Sequence, residues 1–450
     1  MYLNAAGEVQ NQLSQNGHLA AGVPGTVDGL FTTHQYAVLP FAQLIQPAIE
    51  LAEKGFVITQ AEANSLNRHM GDFIRYCTQP NAFIRYGGWK AGDTLIQHDL
   101  ATTLKRIRDL GPKGFYEGKT AQLIVAEMNR GGGLITLDDL KHYKTAVREV
   151  MQSAYKEYTI LGMPLVSSGG ILIQQMMGMT ATRNIARYGF HSLQAVQLMV
   201  EIQRRAFADR AEYLGDADFV KVPVKTLTSP AYLQQRMADY DSTRAGSSKT
   251  TRHGNITPES EETTHLSVYD RFGNAVAVTT TLNGSYGSRT VVGGAGFLLN
   301  NEMDDFSSKP GVPNMYGALG TEANAIAPGK RMLSSMTPTI VLKNNQPYLI
   351  IGTPGGTTIP TQVYQILVNV LEFGMSLEAA IQSPRFHHQW LPDVISVEKD
   401  IPLPLRDQLQ QLGYVVTERS AIGRAEGILI LNGRITAVGD KRGDDHAAGY

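Results

Sequence analysis

The chain has 450 residues, 42% of them hydrophobic, and 40 Lys plus Arg stand against 41 Asp plus Glu. That length carries a large core in one big domain or in two or three smaller ones, and a net charge near zero without a basic patch argues against nucleic acid as the main partner. A single cysteine, Cys77, excludes an intrachain disulfide and a cysteine-based metal site.

No apolar run approaches the length that spans a bilayer, and Met1-Tyr2-Leu3-Asn4 lacks the basic and apolar regions of a signal peptide. Cys77 has no thiolate-stabilising charge beside it and reads as buried and inert. Gly22 to Leu30 is a glycine-punctuated loop opening into a helix. Apolar spacing predicts helices over Leu44–Gly55, with Gly55 as C-cap, then around Gln60–Asn67 and Leu100–Leu110. Gly114 to Thr120 looks like a phosphate-binding loop, but Lys113 stands where its first glycine should be and no strand precedes it, so no nucleotide site is expected. A helix Ala121–Arg130 ends at Gly131-Gly132-Gly133, and Thr136 reads as an N-cap. Val150–Leu161 alternates like a strand. Ser167-Ser168-Gly169-Gly170 precedes an apolar helix, Ile171–Met179, whose methionines suit a core. The long helix Leu193–Ala211 is expected to carry its charged residues on an outer face. From about Arg236 to Glu262 the sequence turns small and polar and reads as a mobile end.

After residue 262 the chain becomes strand-rich. Thr264–Tyr269, the turn Asp270 to Asn274, and Ala275–Leu282 form a hairpin candidate whose register brings Thr281 back toward Thr263. An apolar strand, Gly296–Leu299, leads to the polar run Asn300 to Phe306. A strand Pro347–Gly352, broken by Pro354-Gly355-Gly356 before a helix Thr361–Gly374, turns backbone N–H groups outward at a helix start. Ser376–Ser383 and Pro404–Leu412 read as helices, and Gly427–Asp440 as a hairpin turned at Asn432-Gly433.

The chemistry centres on Thr263. Its residues alone also fit a plain strand. A cut between Glu262 and Thr263, however, would give one residue both a hydroxyl nucleophile and an α-amine base. Such an amine titrates near 7.7–8.0, close to working pH. The hydroxyl could make that cut itself, by attacking the Glu262 carbonyl. His387 and His388 lack metal-ligand spacing and read as structural.

Thr263-Thr264-His265-Leu266-Ser267-Val268, Asn300 to Ser307, Leu333-Ser334-Ser335-Met336, Pro354-Gly355-Gly356 and Pro384 to Gln389, in this order, resemble the γ-glutamyltranspeptidase (glutathione hydrolase) family over essentially the whole chain. The resemblance implies an α+β, N-terminal-nucleophile hydrolase fold: a four-layer αββα sandwich with two central antiparallel sheets. It implies a zymogen cut autocatalytically before Thr263 into a large portion, residues 1–262, and a small one, 263–450, that stay together in one domain. It implies transfer of the γ-glutamyl group of glutathione and related amides to water, amino acids or peptides through an acyl-threonine, without metal or organic cofactor, in a periplasmic or secreted setting. Thr263 would be the nucleophile and Thr281 the group that orients its amine. Asn283, Glu302 and Asp305 would hold the substrate α-amino group, where carboxylates suit an ammonium. Ser334 and Ser335 would hold its α-carboxylate, Gly355 and Gly356 would supply oxyanion N–H groups, and Tyr316 would shield the site from a lid. Met332 departs from the family's usual proline. The family's N-terminal segment with a carboxylate-gripping arginine is expected to be missing. Two alternatives follow: an inactive truncated member, or an acylase of the same fold for a side chain such as glutaryl, which has no ammonium for Glu302 and Asp305.

Overall fold

The structure, a computed structural model, describes residues 1–251, 263–315 and 317–449. The chain divides into two compact units: Met1–Val147 with Leu282–Asp304, and Arg148–Thr281 with Asp305–Tyr450. This division does not follow the 262/263 junction.

In the first unit the main helices are Phe41–Lys54, Gln60–Tyr76, His98–Leu110 and Gly118–Gly131. Gly55 ends the first of them at φ 84°, where a side chain would be strained. Thr59 opens the second through a capping box with Glu62, a device worth about 0.5–2 kcal/mol. Gly114 has a packing cause: a Cβ there would sit 2.1 Å from the Arg106 carbonyl oxygen. The expected strand over 296–299 is absent. Val291 and Leu298 form only an isolated bridge, and Gly294 and Gly296 turn the backbone at φ 72° and 79°. Val292, Ala295 and Leu299 instead plug the core singly, beside Phe115 and Ile124. Cys77 is half-buried against the Arg289 carbonyl, 3.4 Å away, and burial pushes its thiol pKa up, which keeps it unreactive.

The second unit is built on an antiparallel sheet of six strands in the order Arg434–Val438, Glu426–Leu431, Gln346–Gly352, Thr339–Lys343, Tyr158–Gly162, Met151–Tyr155. The single strand expected over 150–161 is thus a hairpin, turned at Lys156 with φ 53°. Asn432 and Gly433, both at positive φ, turn the last pair. Helices Gly169–Ala181 and Ile359–Leu371 pack on the sheet, and Leu193–Tyr213 packs on the first of these. A second sheet, the hairpin Thr264–Tyr269 with Ala275–Thr280, lies against strands Gln346–Gly352 and Glu426–Leu431. Its alternation is inverted: His265 is buried, whereas Leu266, Val268, Val276 and Val278 are 43–58% exposed.

Helix Leu193–Tyr213 corrects the outer-face expectation, because it is buried from Ala195 through Ala211. Two of its arginines are partnered inside: Arg205 Nη1 lies 2.6 Å from Glu201 Oε2, and Arg204 bonds Asp393. Tyr414 donates to Glu201 at 2.7 Å. Burying such charges is tolerated only when they are paired.

The same network ties down residues 245–251, part of the stretch that reads as mobile in the sequence. Gly246 N–H donates to Glu201 Oε1 at 3.0 Å and Ser248 N–H to Asp393 Oδ2 at 2.7 Å. Ser248 Oγ accepts from Arg204 and donates to the Trp390 carbonyl, both at 2.5 Å, and Trp390 Nε1 donates to the Thr251 carbonyl. The remainder of that stretch, 252–262, lies outside the described residues.

Candidate active site

Thr263 stands at the head of the strand Thr264–Tyr269. The pairing Thr264↔Thr280 fixes the register of the hairpin, so Thr281 falls opposite Thr263. The Thr263 hydroxyl points at the Thr281 hydroxyl, 3.5 Å away, the outer limit of a hydrogen bond. Glu262 and Tyr316 lie outside the described residues.

His265 aims this strand. Its ring is buried between Thr279 Oγ1 at 2.9 Å and Ser267 Oγ at 3.1 Å, and burial lowers its pKa to about 4, so it is neutral at pH 7. Beneath the ring lies Gly352, the last residue of a central strand, where a Cβ would meet the ring at 2.2 Å. A glycine in a buried strand with a histidine two residues past the threonine is the only sequence signal for this contact. The contact sets the head of the Thr263 strand on the end of Gln346–Gly352, three residues before Gly355.

The loop that follows Gly352 is held from below. Gln362 accepts from Thr353 Oγ1 at 2.6 Å and donates to the Pro354 carbonyl at 3.1 Å and to Thr358 Oγ1 at 2.7 Å. Gly355 at φ 137° and Gly356 at φ 52° take conformations that suit glycine. Their carbonyls accept from Thr358 and Ile359 N–H groups. Among the described residues, nothing accepts from the N–H groups of Gly355 and Gly356. Two adjacent amides at a helix start suit a developing oxyanion.

Ser334 and Ser335 are buried. Residue 334 pairs in parallel with Ser167, and its carbonyl accepts from both the N–H and the hydroxyl of Ser168 at 2.9 Å. Its own hydroxyl donates to Ser167 Oγ at 2.9 Å. Arg210 reaches both serine pairs: Nε donates to Ser168 Oγ and Nη2 to Ser335 Oγ, each at 3.1 Å. Sequence reasoning missed Arg210 because the charged residues of this helix were expected on its outer face. Asp305, in the same unit, accepts from Asn314 Nδ2 at 3.4 Å and holds Asn324 through its carbonyl at 2.7 Å.

Asn283 and Glu302 belong to the first unit. Asn283 is buried at φ 72° and donates to the Asn301 carbonyl at 3.0 Å. Glu302 N–H donates to Asn300 Oδ1 at 3.0 Å, and Asn300 is itself tied to Gly22 by two 2.9 Å bonds. His387 bonds Thr361 and Gln389, each at 2.8 Å, while His388 meets Asp393 at 3.3 Å. The two rings thus serve separate networks.

Comparison with known proteins gives the family. The family model described as gamma-glutamyltranspeptidase matches residues 1–450. The chain is 43% identical to the glutathione hydrolase proenzyme of Escherichia coli (strain K12) over all of this chain and 79% of that one. It is 44% identical to the glutathione hydrolase proenzyme of Pseudomonas aeruginosa, over 98% of this chain and 80% of that one. Among solved structures, cephalosporin acylase from Bacillus halodurans superposes with a TM-score of 0.82 at 23% identity, over 97% of this chain and 79% of that chain, a likeness of fold. Thr263 over Thr281, the glycine loop beside them and a match that runs from the first residue to the last place this chain in the γ-glutamyltranspeptidase family.

Proposed function

We infer that the chain is a γ-glutamyltransferase and glutathione hydrolase that matures by cutting itself before Thr263. The observation that carries this reading is the Thr263 hydroxyl on Thr281, at the head of a strand that His265 and Gly352 fix beside the Gly355–Gly356 loop. In maturation, Thr263 Oγ1 attacks the Glu262 carbonyl and the acyl group moves from nitrogen to oxygen. That shift frees the Thr263 α-amine; water then opens the ester, releasing the Glu262 carboxylate and restoring the Thr263 hydroxyl. In turnover that amine takes the hydroxyl proton while Oγ1 adds to the γ-glutamyl carbonyl. The oxyanion forms against the Gly355 and Gly356 N–H groups; a donor of this kind is typically worth about 10²–10³ in rate. The proton then passes to the leaving amine, and water or an acceptor amine opens the acyl-threonine.

Ser334 and Ser335 take the α-carboxylate of the substrate, and Asp305 takes its ammonium. For Asn283, Glu302 and Tyr316 the proposed substrate contacts rest on the family resemblance, as does a periplasmic or secreted location. Among the described residues no helix is long and apolar enough to cross a membrane.

The test is expression of the full chain followed by a denaturing gel, N-terminal sequencing and release of p-nitroaniline from γ-glutamyl-p-nitroanilide. Two fragments, the smaller beginning at Thr263, accompany activity, and Thr263→Ala abolishes both. An active chain still joined at 262–263, or hydrolysis of glutaryl amides with none of γ-glutamyl amides, would overturn the reading.

A further inference from the structure

Arg210 is a buried cation without an ion-pair partner among the described residues. It sits in the last turn of helix Leu193–Tyr213 and is 5% exposed. Among the described residues no carboxylate lies within ion-pair distance of it; its bonds go to two neutral hydroxyls, on Ser168 and Ser335. The other buried arginines of that helix, Arg204 and Arg205, both have carboxylate partners, and the adjacent Asp209 pairs with Arg236 instead. Burial alone pulls the Arg210 pKa down to about 10, with only the more distant Asp305 acting the other way. An unpaired guanidinium at such depth is costly unless something anionic arrives.

Ser335 shows where that something arrives. Its oxygen already accepts from Arg210 Nη2, and its carbonyl accepts from Thr337. Among the described residues its own O–H donates to nothing. A hydroxyl that accepts from a cation is polarised into a stronger donor, and this one has its proton to offer.

We propose that Arg210 is a positioning residue for the substrate α-carboxylate, supplying through Ser335 the positive charge that this carboxylate meets in the second unit. Asp305 lies on the other side of the account as the anion for the α-ammonium, so the unit presents one charge of each sign to an amino-acid head group. The proposal rests on the reading of Ser334 and Ser335 as the carboxylate site.

The experiment compares two substrates on the matured enzyme, with rates taken per mole of cut chain. One is γ-glutamyl-p-nitroanilide; the other is 4-aminobutanoyl-p-nitroanilide, the same molecule without its α-carboxylate. The ratio of their kcat/KM values measures carboxylate recognition. In Arg210→Met this ratio falls at least about tenfold, the usual scale of a charge-assisted bond, chiefly through KM for the carboxylate-bearing substrate. A merely structural residue would slow both substrates alike and leave the ratio unchanged, which overturns the proposal. Should Arg210→Met not accumulate as folded protein, Arg210→Gln, neutral but polar, decides on the same ratio. A wild-type enzyme that does not discriminate between the two substrates would instead sink the carboxylate site itself, and the Arg210 role with it.

Discussion

Gly352→Ala tests the aim of the nucleophile strand. A Cβ at 352 would lie 2.2 Å from the His265 ring, whereas carbon atoms rest at about 3.5–4.0 Å. The ring must therefore retreat by more than about 1 Å, or the strand must. Neither gives easily: the ring is pinned by Thr279 and Ser267, Gly352 is paired with Glu426, and the residue before it, Ile351, is paired with Gly427 and Thr339. Overpacking of this kind costs about 1–3 kcal/mol. Because His265 is two residues from Thr263, a displacement of about 1 Å carries to the nucleophile and costs about 10²-fold in rate. The assay is threefold: the urea midpoint, the rate of fragment appearance after rapid purification, and p-nitroaniline release per mole of cut chain. All three fall in Gly352→Ala. Adding His265→Ala removes the clash and recovers part of the lost midpoint, so the two changes are non-additive. A Gly352→Ala chain that cuts and turns over within twofold of wild type at an unchanged midpoint would refute the reasoning.

Acid should loosen the second unit as three buried histidines charge, against the smaller opposite pull of Glu426, a single group whose pKa burial raises to about 7. Burial lowers the pKa of His191, His265 and His388 to about 4, below the ordinary 6.5. Groups depressed in the folded state keep their full stabilising effect above pH 6.5 and lose it as pH falls from 6.5 through 4. The urea midpoint should accordingly drop between pH 7 and pH 4.5; a flat profile over that window would count against neutral buried rings. In the clamp on residues 245–251, Trp390→Phe removes the ring N–H that serves the Thr251 carbonyl. An orphaned buried acceptor costs about 1–3 kcal/mol. Trypsin should then cut at Lys249 faster, with equal rates in the two proteins counting against the clamp.

The hairpin around Thr263 was legible because its alternation, its Asp270–Asn274 turn and its equal arms leave one register, and the structure adopts it. The glycines at 355 and 356 were legible for a similar local reason: their positive φ values are the conformations for which glycine is chosen. What could not be read is partnership over long separations. Arg204 and Arg210 are charged residues of a kind expected on a helix's outer face, yet their partners, Asp393 and Ser335, lie far along the chain. Ser248 misleads in the same way, since a small polar residue suits a mobile segment and equally a pocket lined by charges. The run 296–299 is apolar enough for a strand, but two glycines turn it and the core takes its side chains one at a time. Asn283 and Glu302 entered through family resemblance and fall in the first unit, a separation no periodicity signals.

The inverted hairpin has a mechanical corollary. Leu266, Val268, Val276 and Val278 turn an oily strip to water on the back of the very strand whose first neighbour is the nucleophile. Water gains when such a strip is covered, and whatever covers it also restrains the two-stranded ribbon that carries Thr263 and Thr281. Shielding that strip and holding the reactive hydroxyl steady are therefore one and the same event.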